Sequence, residues 1–127
     1  MTNQTEQMNI TETSLTKTKP YLHVISLSNS TVKALMTFND ILHNGYMFPQ
    51  IPDGLAAIQN RDGLIDIFIN HELALDKVNE YSKVSKLTVN ENGRIVFGEL
   101  IEDGSCKYEC FCSVTISSEM NSRIFLL

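Results

Sequence analysis

With 127 residues, 43% of them hydrophobic, the chain is long enough for one modest domain with its own core. Lys and Arg number 10 against 15 Asp and Glu, a formal charge of -5, and no basic run provides the electrostatic footprint of a nucleic-acid binder. No apolar run approaches the roughly 20 residues needed to span a bilayer, so neither nucleic acid nor a membrane is an expected partner.

Residues 1–19 are rich in Thr, Asn, Gln and Glu and poor in apolar side chains. They read as a disordered polar leader, with too little to bury to offset the entropy of ordering. No basic segment precedes an apolar one there, so no secretory signal is visible, and as it stands the chain reads as cytoplasmic. The domain is expected over residues 20–127. Residues 21–27 are a predicted strand, closed by Ser28-Asn29-Ser30. Residues 32–38 allow two readings: Val32, Leu35, Met36 and Leu42 make a helical stripe, whereas Val32, Ala34, Met36 and Phe38 alternate as in a strand.

Ile51-Pro52-Asp53-Gly54-Leu55 reads as a turn leading into a hairpin arm. Residues 55–58 and 64–69 then flank Asn60-Arg61-Asp62-Gly63, whose Asp-Gly pair suits the positive φ of a hairpin loop. Residues 84–89 and 94–97 flank a second such turn, Asn90-Glu91-Asn92-Gly93, with Leu87, Val89, Ile95 and Phe97 apolar at period two. Residues 72–82 read as a polar loop with about one helical turn. Glu102-Asp103-Gly104-Ser105 is a third break, before predicted strands over residues 107–116 and 123–127. Short strands separated by turn signals predict an antiparallel all-β fold.

Chemistry concentrates where the second of these strands ends. Ile65, Ile67 and Ile69 share one face and His71 continues that row, while Asp66, Phe68, Asn70 and Glu72 point the other way. Strand ends are where scaffolds present sites. The Glu72 carboxylate suits a hard cation such as calcium, and His71 could ligate, orient or titrate beside it. Asp53 is a further candidate, although Asp before Gly also suits a turn, and Asn70 and His71 could simply satisfy loop backbone. Cys106, Cys110 and Cys112 would share a strand face with Tyr108. Their spacing is not that of a zinc ribbon or finger, and small buried hydrophobes are the plain alternative. His23 and His43 have no partner motif. The sequence holds no G-x-S-x-G elbow, phosphate-binding loop or H-E-x-x-H helix.

Pro52-Asp53-Gly54-Leu55 followed by Asn70-His71-Glu72 resembles the opening portion of the PhoX-type alkaline phosphatases, in motif order over roughly residues 32–127. The resemblance implies a β-propeller with a metal-dependent phosphoester hydrolase site that uses calcium and iron, and favours a strand over residues 32–38. It places Cys112-Ser113-Val114-Thr115 where the family has a cysteine-bearing segment, and so implies Cys112 as an iron-ligand candidate beside Glu72. Val114 departs from the small, Gly-rich stretch of the phosphatases. Members of the family are typically exported.

Length qualifies that picture. At roughly 40–45 residues per four-stranded blade, residues 20–127 make about two and a half blades of the 4–8 a closed propeller needs. The expectation is an incomplete propeller: an N-terminal fragment of a PhoX-like hydrolase, inactive alone, whose unpaired final strand promotes self-association. The alternatives are a non-catalytic binding or structural module of propeller ancestry, and a small self-sufficient sandwich or barrel.

Overall fold

The computed structural model of the chain describes residues 16, 34–73, 78–109, 113–117 and 123–126. Its named elements are all strands: β1 (Pro52–Gln59), β2 (Ile65–His71), β3 (Lys83–Val89), β4 (Ile95–Glu102), β5 (Val114–Ser117) and β6 (Arg123–Leu126). Strands β1 to β4 form one antiparallel sheet in chain order, and β5 and β6 form a second, two-stranded sheet. The all-β expectation holds at that level. The expected leader, apart from Thr16, and the expected strand over residues 21–27 lie outside the described residues.

Two asparagine-led turns build the large sheet. Asn60 Oδ1 accepts the backbone N–H groups of Asp62 and Leu64 at 3.0 and 3.1 Å. Asn90 Oδ1 does the same for Asn92 and Arg94 at 3.1 and 2.9 Å. Each turn ends on a glycine in the left-handed region, Gly63 at φ 80° and Gly93 at φ 73°. Their positions match the sequence signals, because a short amide side chain and a glycine are what a chain reversal of this length requires.

The face of the sheet carrying Ile67, Ile69 and Leu87 is covered by a small hairpin over residues 39–48. Its hydrogen bonds include Leu42 N–H to Tyr46 C=O at 2.8 Å and Phe48 N–H to Asp40 C=O at 2.9 Å. The hairpin seats Leu42, Tyr46 and Phe48 against Ile69 and Leu87, with Met36, Ile67 and Ile95 around them. Gly98 on β4 makes that fit possible: a methyl group there would lie 2.6 Å from Tyr46 Cδ1 and 2.7 Å from Leu42 Cδ1. Asn44 Nδ2 donates to the Gly98 carbonyl at 2.6 Å and fastens the hairpin to the same spot.

Several expectations are corrected. The described part of residues 32–38 forms no ladder; Asp40 instead draws Thr37 into a local turn, its carboxylate accepting the Thr37 N–H at 2.8 Å. Asp53-Gly54 lies inside β1 rather than in a turn, at a register shift between Pro52 and Leu55. Of the expected strand over residues 107–116, residues 107–109 and 113 are not strand, Val114 opens β5, and Cys110 and Cys112 lie outside the described residues. Cys106 is exposed in a turn rather than on a strand face with Tyr108. There Glu102 Oε1 accepts the N–H groups of Gly104 and Cys106, which stabilises the turn instead of a continued strand. The final strand is not unpaired: Ile124 and Phe125 in β6 register with Ile116 and Thr115 in β5.

Candidate functional site

Strand β2 ends as the sequence predicts, with consecutive residues facing opposite sides, and the structure gives the two sides different roles. His71 continues the Ile67 and Ile69 row into the core and is fully buried. Its Nδ1 lies 3.1 Å from the carbonyl oxygen of Gln50, and its Nε2 lies 2.8 Å from Ser85 Oγ. A carbonyl only accepts, so Nδ1 carries the proton and Nε2 accepts the Ser85 hydroxyl. Tyr46 in turn donates its hydroxyl to Ser85 Oγ at 2.6 Å. The result is a directed chain, Tyr46 to Ser85 to His71 to the Gln50 carbonyl, in which every donor has an acceptor.

This chain ties the covering hairpin to β2 and β3, and burial tunes both of its ends. Burial pushes His71 down to about 4, against a hydrogen bond to Gln50 that works the other way. Burial also pushes Tyr46 up to about 12, opposed by its bond to Ser85. The edge of the His71 ring meets Phe48 at 5.2 Å between centroids, at 78°. With both nitrogens engaged and no exposed surface, His71 is a neutral structural group and has no lone pair left for a metal.

Asn70 points to the other face and is also fully buried. Opposite it in β1 the register jumps, Pro52 pairing with His71 and Leu55 with Ile69, so that Asp53 and Gly54 together face this one residue. Two residues against one is a β-bulge, a feature common beside functional sites. Gly54 is required here by space and not by a positive φ. A methyl group on it would overlap Asn70 Oδ1 and come within 2.8 Å of Ser113 Cα. The motif Pro52-Asp53-Gly54, the motif Asn70-His71-Glu72 and the residue after Cys112 therefore converge on one point.

Glu72 leaves the strand half-buried, its N–H donating to the Ile51 carbonyl at 3.0 Å. Gln50 and Ile51 thus present successive carbonyls to the His71 ring and the Glu72 backbone. Between them Ile51 is held at φ 50°, a conformation that β-branched residues rarely adopt. Asp53 is exposed beside the bulge, and Cys112 lies outside the described residues. Among the described residues no three His, Cys, Asp or Glu side chains gather as a metal centre would require. A cleft of about 590 Å³ opens elsewhere, between the covering hairpin and β3–β4, with Phe38, Tyr46, Phe48, Lys83, Glu99 and Leu100 among its walls. None of Asp53, Asn70, His71 and Glu72 lines it.

Sequence reasoning missed Ser85, Tyr46 and the hairpin that carries Tyr46. The hairpin had a signal, the Asn44-Gly45 pair, with Gly45 at φ 84°. Ser85 had none, because a serine inside an apolar strand declares its partner only in three dimensions. No protein-family model, curated protein or solved structure was found to match this chain.

Proposed function

We propose that the chain carries the first blade of a PhoX-like β-propeller and the opening hairpin of a second, and contributes Glu72 and Cys112 to a metal-dependent phosphoester hydrolase centre. The observation behind this reading is the meeting of three sequence-distant motifs at Gly54: Asp53-Gly54, Asn70 with Glu72 two residues on, and Ser113 next to Cys112. The β1–β4 meander has the strand number and connectivity of a propeller blade, and β5 packs beside β1 and touches β2, as successive blades do near a propeller axis.

Glu72 supplies a hard oxygen donor suited to calcium, and Cys112 a thiolate suited to iron. On this reading, the ligands beyond Glu72 and Cys112 would come from other blades. The metals' contribution would be to polarise the phosphoryl oxygen and neutralise charge in the transition state. This chain's own residues prepare the place. The bulge opens β1 at Asn70, and the buried chain from Tyr46 to Gln50 holds rigid the strand end from which Glu72 emerges.

Metal titration of the chain tests the proposal. Ferric iron should give a visible thiolate-to-iron absorption that Cys112→Ser abolishes and Cys106→Ser leaves intact. Calcium binding followed by calorimetry should weaken at least tenfold in Glu72→Gln. The chain alone should not hydrolyse p-nitrophenyl phosphate with both metals added. No absorption and no calcium heat in the wild-type chain would overturn the reading.

A second reading, a non-catalytic binding module, is favoured by the outer edge of the large sheet. Strand β4, the last in the order of the large sheet, exposes Val96, Phe97, Leu100 and Ile101, and an edge strand is a surface on which an added strand can dock.

A further inference from the structure

We infer that Asn70 is a positioning residue, and that its contact with Gly54 sets the second sheet in place on the first. The inference deepens the functional reading and rests on it only for the consequence at Cys112. Three independent features of the fold meet in this contact. First, Asn70 is a fully buried amide in a row otherwise occupied by Asp66 and Phe68, and its cross-strand partner Val84 is also fully buried. An amide buried at an apolar position is costly unless its polar atoms serve a purpose there.

Second, the only register shift in the β1–β2 ladder falls opposite Asn70. A bulge widens the local backbone and re-aims what lies beside it, and here it turns the Gly54 backbone toward the Asn70 amide. Third, the other side of Gly54 is occupied by the Ser113 backbone, 2.8 Å from where a methyl carbon would stand at Cα and 3.0 Å at the carbonyl carbon. Gly54 is thus pressed between the Asn70 side chain and the start of β5. Strand β5 packs on β1 and β2 and, among the described strands, makes no comparable contact with β3 or β4.

The contact therefore governs how closely β5 approaches β1. Cys112 is joined to Ser113 by one peptide, which holds their Cα atoms about 3.8 Å apart, so any shift of Ser113 is passed on to Cys112. Asn70 touches neither metal nor substrate in this scheme. It acts by placing the segment that does.

Hydrogen exchange of the full chain tests this without any metal. In Asn70→Ala the amides of β5 should exchange at least tenfold faster, while those of β2 and β3 stay within twofold of wild type. Gly54→Ala attacks the same contact from the other side and should give the same pattern. Leu55→Ala, at an exposed neighbouring position, should leave β5 unchanged. Unchanged β5 protection in Asn70→Ala, whatever Gly54→Ala does, or equal acceleration in all strands of Asn70→Ala, overturns the inference. Because no metal is present, that failure is separate from a failure of the iron and calcium titrations.

Discussion

Replacing Ser85 by Ala removes a single oxygen from the core, yet it strands two other groups. In the wild-type chain that oxygen accepts from Tyr46 and donates to His71 Nε2, at 2.6 and 2.8 Å. Ser85 and His71 are both fully buried and Tyr46 nearly so, so water cannot take over either role without opening the hairpin. An orphaned buried polar group costs about 1–3 kcal/mol, so Ser85→Ala should destabilise the fold by roughly 2–5 kcal/mol. Tyr46→Phe leaves the bond from Ser85 to His71 intact and removes the donor together with its need, so it should cost only about 0.5–1.5 kcal/mol. In the double variant the tyrosine hydroxyl is already gone. Ser85→Ala should then cost about 1–3 kcal/mol less than it does alone, a coupling measurable by a double-mutant cycle. Urea unfolding followed by tyrosine fluorescence and far-ultraviolet dichroism gives all four free energies. Additive effects, with no coupling beyond about 0.5 kcal/mol, would falsify the directed chain from Tyr46 to His71.

The same network sets a pH dependence. The His71 imidazole lies at about 4 in the folded chain against 6.5 when free, so between those values the unfolded state binds the extra proton. Stability therefore rises with pH across that window, is complete above about 6.5, and is lost as pH falls toward about 4, by up to roughly 3 kcal/mol. Urea melts across the window should show this slope in the wild-type chain and lose it in His71→Gln; an equal slope in both would remove His71 as its source. Gly98→Ala should destabilise by about 1–3 kcal/mol through overpacking against Tyr46 and Leu42, read as a lower urea midpoint with an unchanged slope. Asn90→Ala should cost about 1–2 kcal/mol by removing the acceptor of two turn N–H groups, and Asn60→Ala a similar amount. Indifference of both turns to these changes would show that glycine alone specifies them.

Local chemistry made the hairpins legible from the sequence. Asn60 with Gly63, and Asn90 with Gly93, specify a reversal through contacts within five residues, so no distant partner is needed to recognise them. The alternation through Ile65, Ile67 and Ile69 likewise showed which way His71 and Asn70 would face, because side-chain direction in a strand follows from backbone geometry alone. The role of each residue was a different matter. His71 could be read either as a ligand or titrating group or as a side chain that satisfies loop backbone. The contact of its Nδ1 with the Gln50 carbonyl supports the second, and its position in the chain could not reveal Ser85 on the other nitrogen. Gly54 looked like a turn residue, since the dipeptide Asp-Gly carries the same local signal whether a glycine is chosen for positive φ or for lack of a side chain. Only the approach of Asn70 from β2 and of Ser113, the residue before β5, separates these causes. Patterns that depend on one element's own backbone were determined by the sequence by itself: the two tight turns with the strand pairs that flank them, and the facing of residues along β2. Which groups are buried, which are paired and which glycine is irreplaceable was decided by tertiary structure, because these depend on atoms brought together from residues dozens of positions apart.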